Sequence, residues 1–305
     1  MPRQKSPNTD TKFMTAILDK LVEKGLAQGT IQLYINKLKK INDDKPFTSF
    51  SFLKDTKKIK SKLDEIGNLN TKKSYMTAIV SVLNMTDAKQ YASANTYYKG
   101  LLNDEKYKIN EEEMTDKQKD NWISWDDVME KYKELDDEVK EITDAETAEN
   151  KKVLTEHLLL ALYVLNPPRR NDDYYLMQLD TNKKIDDTHN FYRPATSQFI
   201  FNQYKTKKHY GTETIMVNTQ LKRVLDKYIK LMGIQDGDFL LFKNNRSKSN
   251  IITKTLNNIF GKNIGASMLR HIYLTSKYGA VKEEMKKDAM MMAHSTNEQQ
   301  DYIKN

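Results

Sequence analysis

Four short segments in the second half of the chain carry residue types suited to holding an anion. Asn166-Pro-Pro-Arg-Arg-Asn-Asp-Asp173 sets an arginine at the start of a helix, where backbone N–H groups and the helix dipole already favour negative charge. Tyr204-Lys205-Thr206-Lys207-Lys208 opens a basic hairpin. Ser267-Met-Leu-Arg-His-Ile-Tyr-Leu-Thr275 sets Arg270 and His271 side by side on a helix with an apolar face, and an arginine half-buried there needs a partner. Met292-Ala-His-Ser-Thr-Asn-Glu-Gln-Gln-Asp-Tyr302 places a histidine eight residues before a tyrosine near the last helix.

The elements that must position these segments can be read from the periodicity of the chain. Phe13, Ile17, Leu18, Leu21 and Val22 fall on one helical face, and Ile31, Tyr34, Ile35, Leu38 and Ile41 on the next, with Thr30 as its cap. A basic helix with Ile59, Leu63 and Ile66 follows, then one opened by Thr71 with Tyr75, Ala78, Ile79, Val82 and Leu83 inside. The second half mixes helix and strand. Val153–Leu165 is an apolar helix stopped by Asn166-Pro167-Pro168. Phe199–Tyr204 and Glu213–Val217 are expected strands, joined by the basic hairpin. Further helices are expected from Thr219 to Gly233, over Ile252–Phe260, Ser267–Lys277 and Val281–Met292, and near Asn297–Ile303. Met290, Met291 and Met292 read as core, and His157, His189 and His209 as structural or surface groups.

The expected architecture is therefore mainly α: a helical bundle over 1–110, a linker over 111–121, and an α+β domain over 122–305 with a small antiparallel sheet. A length of 305 residues suits two domains. The chain has no cysteine, which excludes disulfides, thiolate metal sites and cysteine nucleophiles. Its five histidines lack the spacing of a helical metal pair. The longest apolar run, Leu158 to Leu165, is too short to span a bilayer, and the start lacks the apolar core of a signal peptide, so an intracellular protein is expected.

Charge sharpens the choice of partner. The net +8 divides into 18 basic against 9 acidic side chains over residues 1–100, 7 against 18 over 101–150, and 25 against 15 over 151–305. Two basic blocks flank an acidic one, and a polyanion such as double-stranded DNA would explain both. In the first block Lys54, Lys57, Lys58, Lys72 and Lys73 form a candidate phosphate-contacting face. In the second, Lys207 and Lys208 extend the hairpin. The acidic block reads as a joint between the two.

Taken in order, the four segments resemble the tyrosine recombinase (phage integrase) family. Pro167-Pro-Arg-Arg-Asn-Asp-Asp-Tyr174 is similar to the first-arginine motif in integrases of large DNA viruses, virophages and related eukaryotic mobile elements. Met268-Leu-Arg-His-Ile-Tyr-Leu-Thr275 resembles the second-arginine motif, and Met292-Ala-His-Ser295 followed by Tyr302 resembles the terminal histidine and nucleophile. The resemblance implies that Tyr302 attacks a DNA phosphodiester to give a 3′-phosphotyrosyl link. It implies that Arg170 and Arg270 neutralise the pentacoordinate phosphorus through paired N–H contacts, with neither metal nor ATP. Lys205 would protonate the leaving 5′-oxygen, and His294 would hold a nonbridging oxygen and Tyr302. Either Arg169 or Arg170 can be the first arginine; Arg170 is assigned because Asp173 then stands where the family's acidic partner usually sits. Ser267 occupies a slot that usually holds His or Lys, so His271, His294 or a water would take the base role. The implied assembly is a homo-tetramer on synapsed DNA sites, monomer or dimer when free. The implied use is integration of a viral or mobile genome in host cytoplasm or nucleus, or from a virion. A type IB topoisomerase-like enzyme and a non-catalytic DNA-binding protein are the alternatives.

Overall fold

The computed structural model describes residues 9–86, 88–108, 113–182, 186–243 and 250–303. It is mainly helical with one small four-stranded sheet. The chain divides into two compact units, Met1–Glu113 and Met114–Asn305.

The first unit is built from helices α1 (Thr9–Glu23), α2 (Gln28–Ile41), α3 (Thr56–Asp64), α4 (Leu69–Leu83) and α5 (Ala88–Lys108), with a single 3-10 turn at Ser51–Lys54. Ile31, Leu38 and Ile41 on α2 share a core with Met76, Ile79, Val82 and Leu83 on α4, and Leu53, Ile59 and Leu63 close it. Caps set the ends: Asp55 accepts from the Lys58 N–H and Asn68 from the Thr71 N–H. So α4 begins ahead of Thr71, and α2 begins at Gln28 ahead of Thr30. Val22, expected inside, is half exposed. The long α5 was not expected. Among its described side chains Tyr91, Ala94 and Tyr98 are buried in this core, too sparse a stripe to read as periodicity; Tyr98 anchors it by donating from its hydroxyl to the Leu53 carbonyl at 2.8 Å.

The second unit starts with α6 (Asp116–Asn121) and α7 (Trp125–Lys140). The expected linker is thus partly helical: its residues 116–121 form α6, capped by a reciprocal Thr115–Gln118 pair, while 111 and 112 lie outside the described residues. Nor is the acidic block simply a joint. Its largest part is α7, capped by Ser124 and Asp127 and burying Val128, Tyr132, Leu135 and Val139 in the core of this unit. Its acids occupy the solvent face of an amphipathic helix.

Against α7 packs α8 (Ala148–Val164), buried from Leu158 to Tyr163. A single-turn helix, α9 (Asn171–Tyr175), leads to β1 (Met177–Leu179), β2 (Asn190–Arg193) and β3 (Gln198–Phe201), then a one-turn α10 (Lys207–Tyr210) and β4 (Glu213–Met216). The order is β1-β2-β3-β4. The β2–β3 and β3–β4 pairs are antiparallel, but β1 runs parallel to β2, so the sheet is mixed and not the antiparallel one expected. Three residues of β1 are too few to show a period of two. Helices α11 (Thr219–Met232), α12 (Ile251–Phe260), α13 (Ala266–Met291) and α14 (Thr296–Tyr302) complete the unit. Asn218 caps α11, and Gly233 ends it in the left-handed conformation. The two helices expected across 267–292 are one: Gly279 weakens α13 by about 1 kcal/mol relative to alanine without breaking it. Met290, Met291 and Met292, expected in the core, are exposed. Among the described residues no helix is long and apolar enough to cross a membrane.

Candidate active site

Tertiary structure brings the first-arginine segment, the hairpin and Arg270 to one cleft of about 390 Å³. Arg169, Arg170 and Arg270 line it, with Asp173 and Glu213, and an aromatic wall that includes Phe199, Phe201, Tyr204 and Tyr210.

The segment Asn166–Asp173 is held from several sides. Pro167 and Pro168 end α8. The Asn171 side chain accepts from the Tyr163 hydroxyl at 3.0 Å and donates to Thr253 Oγ1 on α12 at 2.8 Å. The Tyr174 hydroxyl donates to the Leu162 carbonyl at 3.0 Å, and the Asn190 amide donates to the Asp173 carbonyl at 2.8 Å. With five residues, α9 offers only a small dipole, so the anion-favouring field of this cleft comes from its guanidinium groups.

The two adjacent arginines differ sharply. Arg169 donates from Nε to Asp173 at 2.8 Å and from an Nη to Glu213 at 2.9 Å, and it lies 3.8 Å over the Phe201 ring. Burial works against its charge, but the bonds to Glu213 and Asp173 outweigh it and hold the guanidinium more firmly protonated. Burial pushes the Asp173 carboxyl above the usual carboxylate range while Arg169 pulls it back. The second carboxyl oxygen, Oδ1, is buried without a partner among the described residues. The acidic partner expected for Arg170 therefore belongs to Arg169. Arg170 is the residue before α9, half-buried, and makes no hydrogen bond or ion pair among the described residues. Arg270, half-buried between the core residues Leu269 and Ile272 on α13, is equally without a partner there.

The remaining expected site residues stand around or away from this cleft. Lys205 is exposed in the turn after β3, next to the lining residues Tyr204 and Thr206 but not itself lining the cleft. The turn is fixed by the Tyr204 hydroxyl donating to the Gly211 carbonyl at 2.8 Å, and Gly211 takes a φ of 71° that favours glycine. Lys207 pairs with Asp187 at 3.3 Å, and Lys208 is exposed. His271 and Ser267 are exposed on α13 and do not line the cleft. His294 and Tyr302 do meet: their rings lie 5.7 Å apart across the α13–α14 turn. Ser295 and Glu298 cap α14 reciprocally, so Ser295 is a structural residue. Neither His294 nor Tyr302 lines the cleft, and Tyr302 is 76% exposed. Glu213, Tyr204 and Tyr210 were not foreseen. The four-residue step from Arg169 to Asp173 could have suggested their pairing; nothing local marks Glu213.

In the first unit, Lys57 and Lys58 lie exposed on α3 without a hydrogen bond or salt bridge from their side chains among the described residues, Lys58 close enough to help hold the Asp43 carboxyl below its usual range after Lys62. Lys54 sits 5.0 Å over the Tyr91 ring. Lys60 and Lys72 both bind Asp64, and their hydrogen bonds hold its carboxyl down to about 2. Lys62 is taken by Asp43 and by the Ile41 carbonyl. Lys73 is half-buried on α4. Part of the expected phosphate-contacting face is therefore neutralised within the unit.

Compared with protein-family models, curated proteins and solved structures, the chain matches none.

Proposed function

We propose that this protein breaks and rejoins DNA strands as a site-specific recombinase of the tyrosine recombinase type, integrating a viral or mobile genome. One observation carries the reading: Arg170 and Arg270, far apart in sequence, line one cleft, and neither is hydrogen-bonded or salt-bridged to a carboxylate among the described residues. Two guanidinium forks with their N–H donors open in a partly buried, aromatic-walled cleft suit a phosphodiester whose nonbridging oxygens gain charge in the transition state. Arg169, locked between Asp173 and Glu213, would serve as the fixed wall against which Arg170 is placed.

In this mechanism Tyr302 attacks phosphorus and its proton passes to His294, to His271 or to water. The bond to the 5′-oxygen breaks, and Lys205 gives that oxygen a proton from the hairpin. The 3′-phosphotyrosyl link conserves the bond, so another 5′-hydroxyl can displace the tyrosine without ATP. Because Tyr302 lies outside the cleft, α14 must carry it to the bound phosphate. Lys54, Lys57, Lys58, Lys72, Lys73, Lys207 and Lys208 would add salt-sensitive phosphate contacts. Double-stranded DNA is the partner, with a tetramer formed on paired sites in the host cytoplasm or nucleus.

The test is capture of a covalent adduct on a randomised library of nicked duplexes, resolved under denaturing conditions. The wild type is expected to give an adduct and Tyr302→Phe none; an adduct that persists in the mutant removes Tyr302 as nucleophile. Ser267 and the outlying Tyr302 favour a second reading, a DNA-binding protein without cleavage. Salt-sensitive DNA binding with no adduct would establish it.

A further inference from the structure

The first turns of α13 bury Ala266, Met268, Leu269 and Ile272, and Trp125 of α7 lies edge-on to Tyr273. From Tyr273 to Asp288 no residue of this helix is buried. Yet that stretch is not polar all round. Leu274, Tyr278 and Val281 are each half exposed, and Met285 is partly covered. Their steps of four, three and four residues make one stripe, about 17 Å long at the rise of an α-helix. It is the pattern of a helix seam that has no helix opposite it.

The charges beside the stripe indicate what covers it. Lys277 and Glu284 flank the same edge, seven residues apart. That is two turns, too far for them to meet within one helix. Among the described residues neither has an opposite charge to pair with: Lys277 touches only tyrosines, its Nζ 3.1 Å from the Tyr273 hydroxyl and over the Tyr278 ring, and Glu284 is exposed. In two antiparallel copies of α13, Tyr278 of one would pack on the partner's Val281, and Leu274 on the partner's Met285. The same register sets Lys277 against the partner's Glu284, twice. Parallel copies would instead set Lys277 toward the partner's Lys282, a like charge.

We infer that the exposed stripe Leu274–Tyr278–Val281–Met285 is a self-association surface, on which a second copy of this chain docks with its α13 antiparallel. The surface does not depend on the recombinase reading. Four side chains per copy fall short of a standard stable interface, so the contact is weak in dilute solution and gains strength when copies are held together.

The absence of cysteine makes the register directly testable. Tyr278→Cys mixed with Val281→Cys under mild oxidation should give a disulfide dimer about tenfold faster than Leu274→Cys mixed with Val281→Cys, whose Cα atoms would lie beyond bridging distance. Rapid homodimers of Tyr278→Cys alone would indicate parallel helices and overturn the proposal. In sedimentation equilibrium of the full chain, K277E or E284K should each weaken dimerisation about three- to tenfold, and the double exchange K277E/E284K should restore it. A 35.7 kDa monomer at every concentration, with no cross-link above the mismatched pair, would also overturn it.

Discussion

The protein carries positive charge in two ways. In the cleft of the second unit, Arg169 is fixed by Asp173, Glu213 and the Phe201 ring, and Arg170 and Arg270 stand half-buried at defined places in the same lining. On α3 and α4 of the first unit, lysines stand in solvent, and several are answered by Asp64 and Asp43. The first arrangement places charge at a point; the second spreads it over a surface. A positioned charge can discriminate between states of a bound phosphate, whereas a spread one mainly holds a polyanion nearby.

The contrast is sharpest between neighbours, and the largest expected effect tests it. Arg169→Ala leaves the Asp173 carboxyl, only 3% exposed, without its partner, and should lower unfolding free energy by about 3–5 kcal/mol in urea titrations. Arg170→Ala breaks no bond in the described structure and should leave the urea midpoint unchanged. It should instead slow adduct formation on nicked DNA by about 10²–10³-fold. Equal loss of stability in both would end the distinction between a structural and a phosphate-binding arginine.

A smaller effect separates the two regions. Lys57→Ala with Lys58→Ala should reduce DNA affinity similarly for all sequences and lower the slope of log affinity against log salt by about 2, without changing the cleavage rate at saturating DNA. A change in rate would mean that the lysine face is positioned too.

The smallest effect is a pH dependence away from both. His157 is buried, stacked on Tyr132 and bonded to Asp136 at 3.1 Å. Burial lowers its pKa, with Asp136 opposing. The unfolded state then binds the extra proton more readily, so stability should fall as pH drops below the ordinary imidazole value. His157→Gln should flatten that fall between pH 7 and 5.5, read as the shift in urea midpoint.

The sequence made legible what depends on local pattern. Helices with a full apolar stripe, such as α2, α4 and α8, could be read directly. So could the β3–β4 hairpin, although both strands end earlier than expected, at Phe201 and Met216. What could not be read depends on partners distant in sequence. The sheet gains β1 through pairing with β2 and through Leu179 and Leu240 backbone bonds to distant residues. Arg169 was indistinguishable from Arg170 until Glu213, across the cleft, was in place. The three methionines were misread because apolar type suggests burial only where something lies opposite.

Between α13 and α14 the chain turns on Ala293, whose φ of 58° is left-handed without being glycine. Such a residue costs about 1–2 kcal/mol against an ordinary conformation. The folded-back position of α14 is thus a catch under slight tension. On the proposed mechanism, a movement that straightens the turn would give up the His294 N–H bond to the Ala289 carbonyl but recover that backbone cost, which at about 1–2 kcal/mol is a five- to thirtyfold weight in population toward Tyr302 leaving His294.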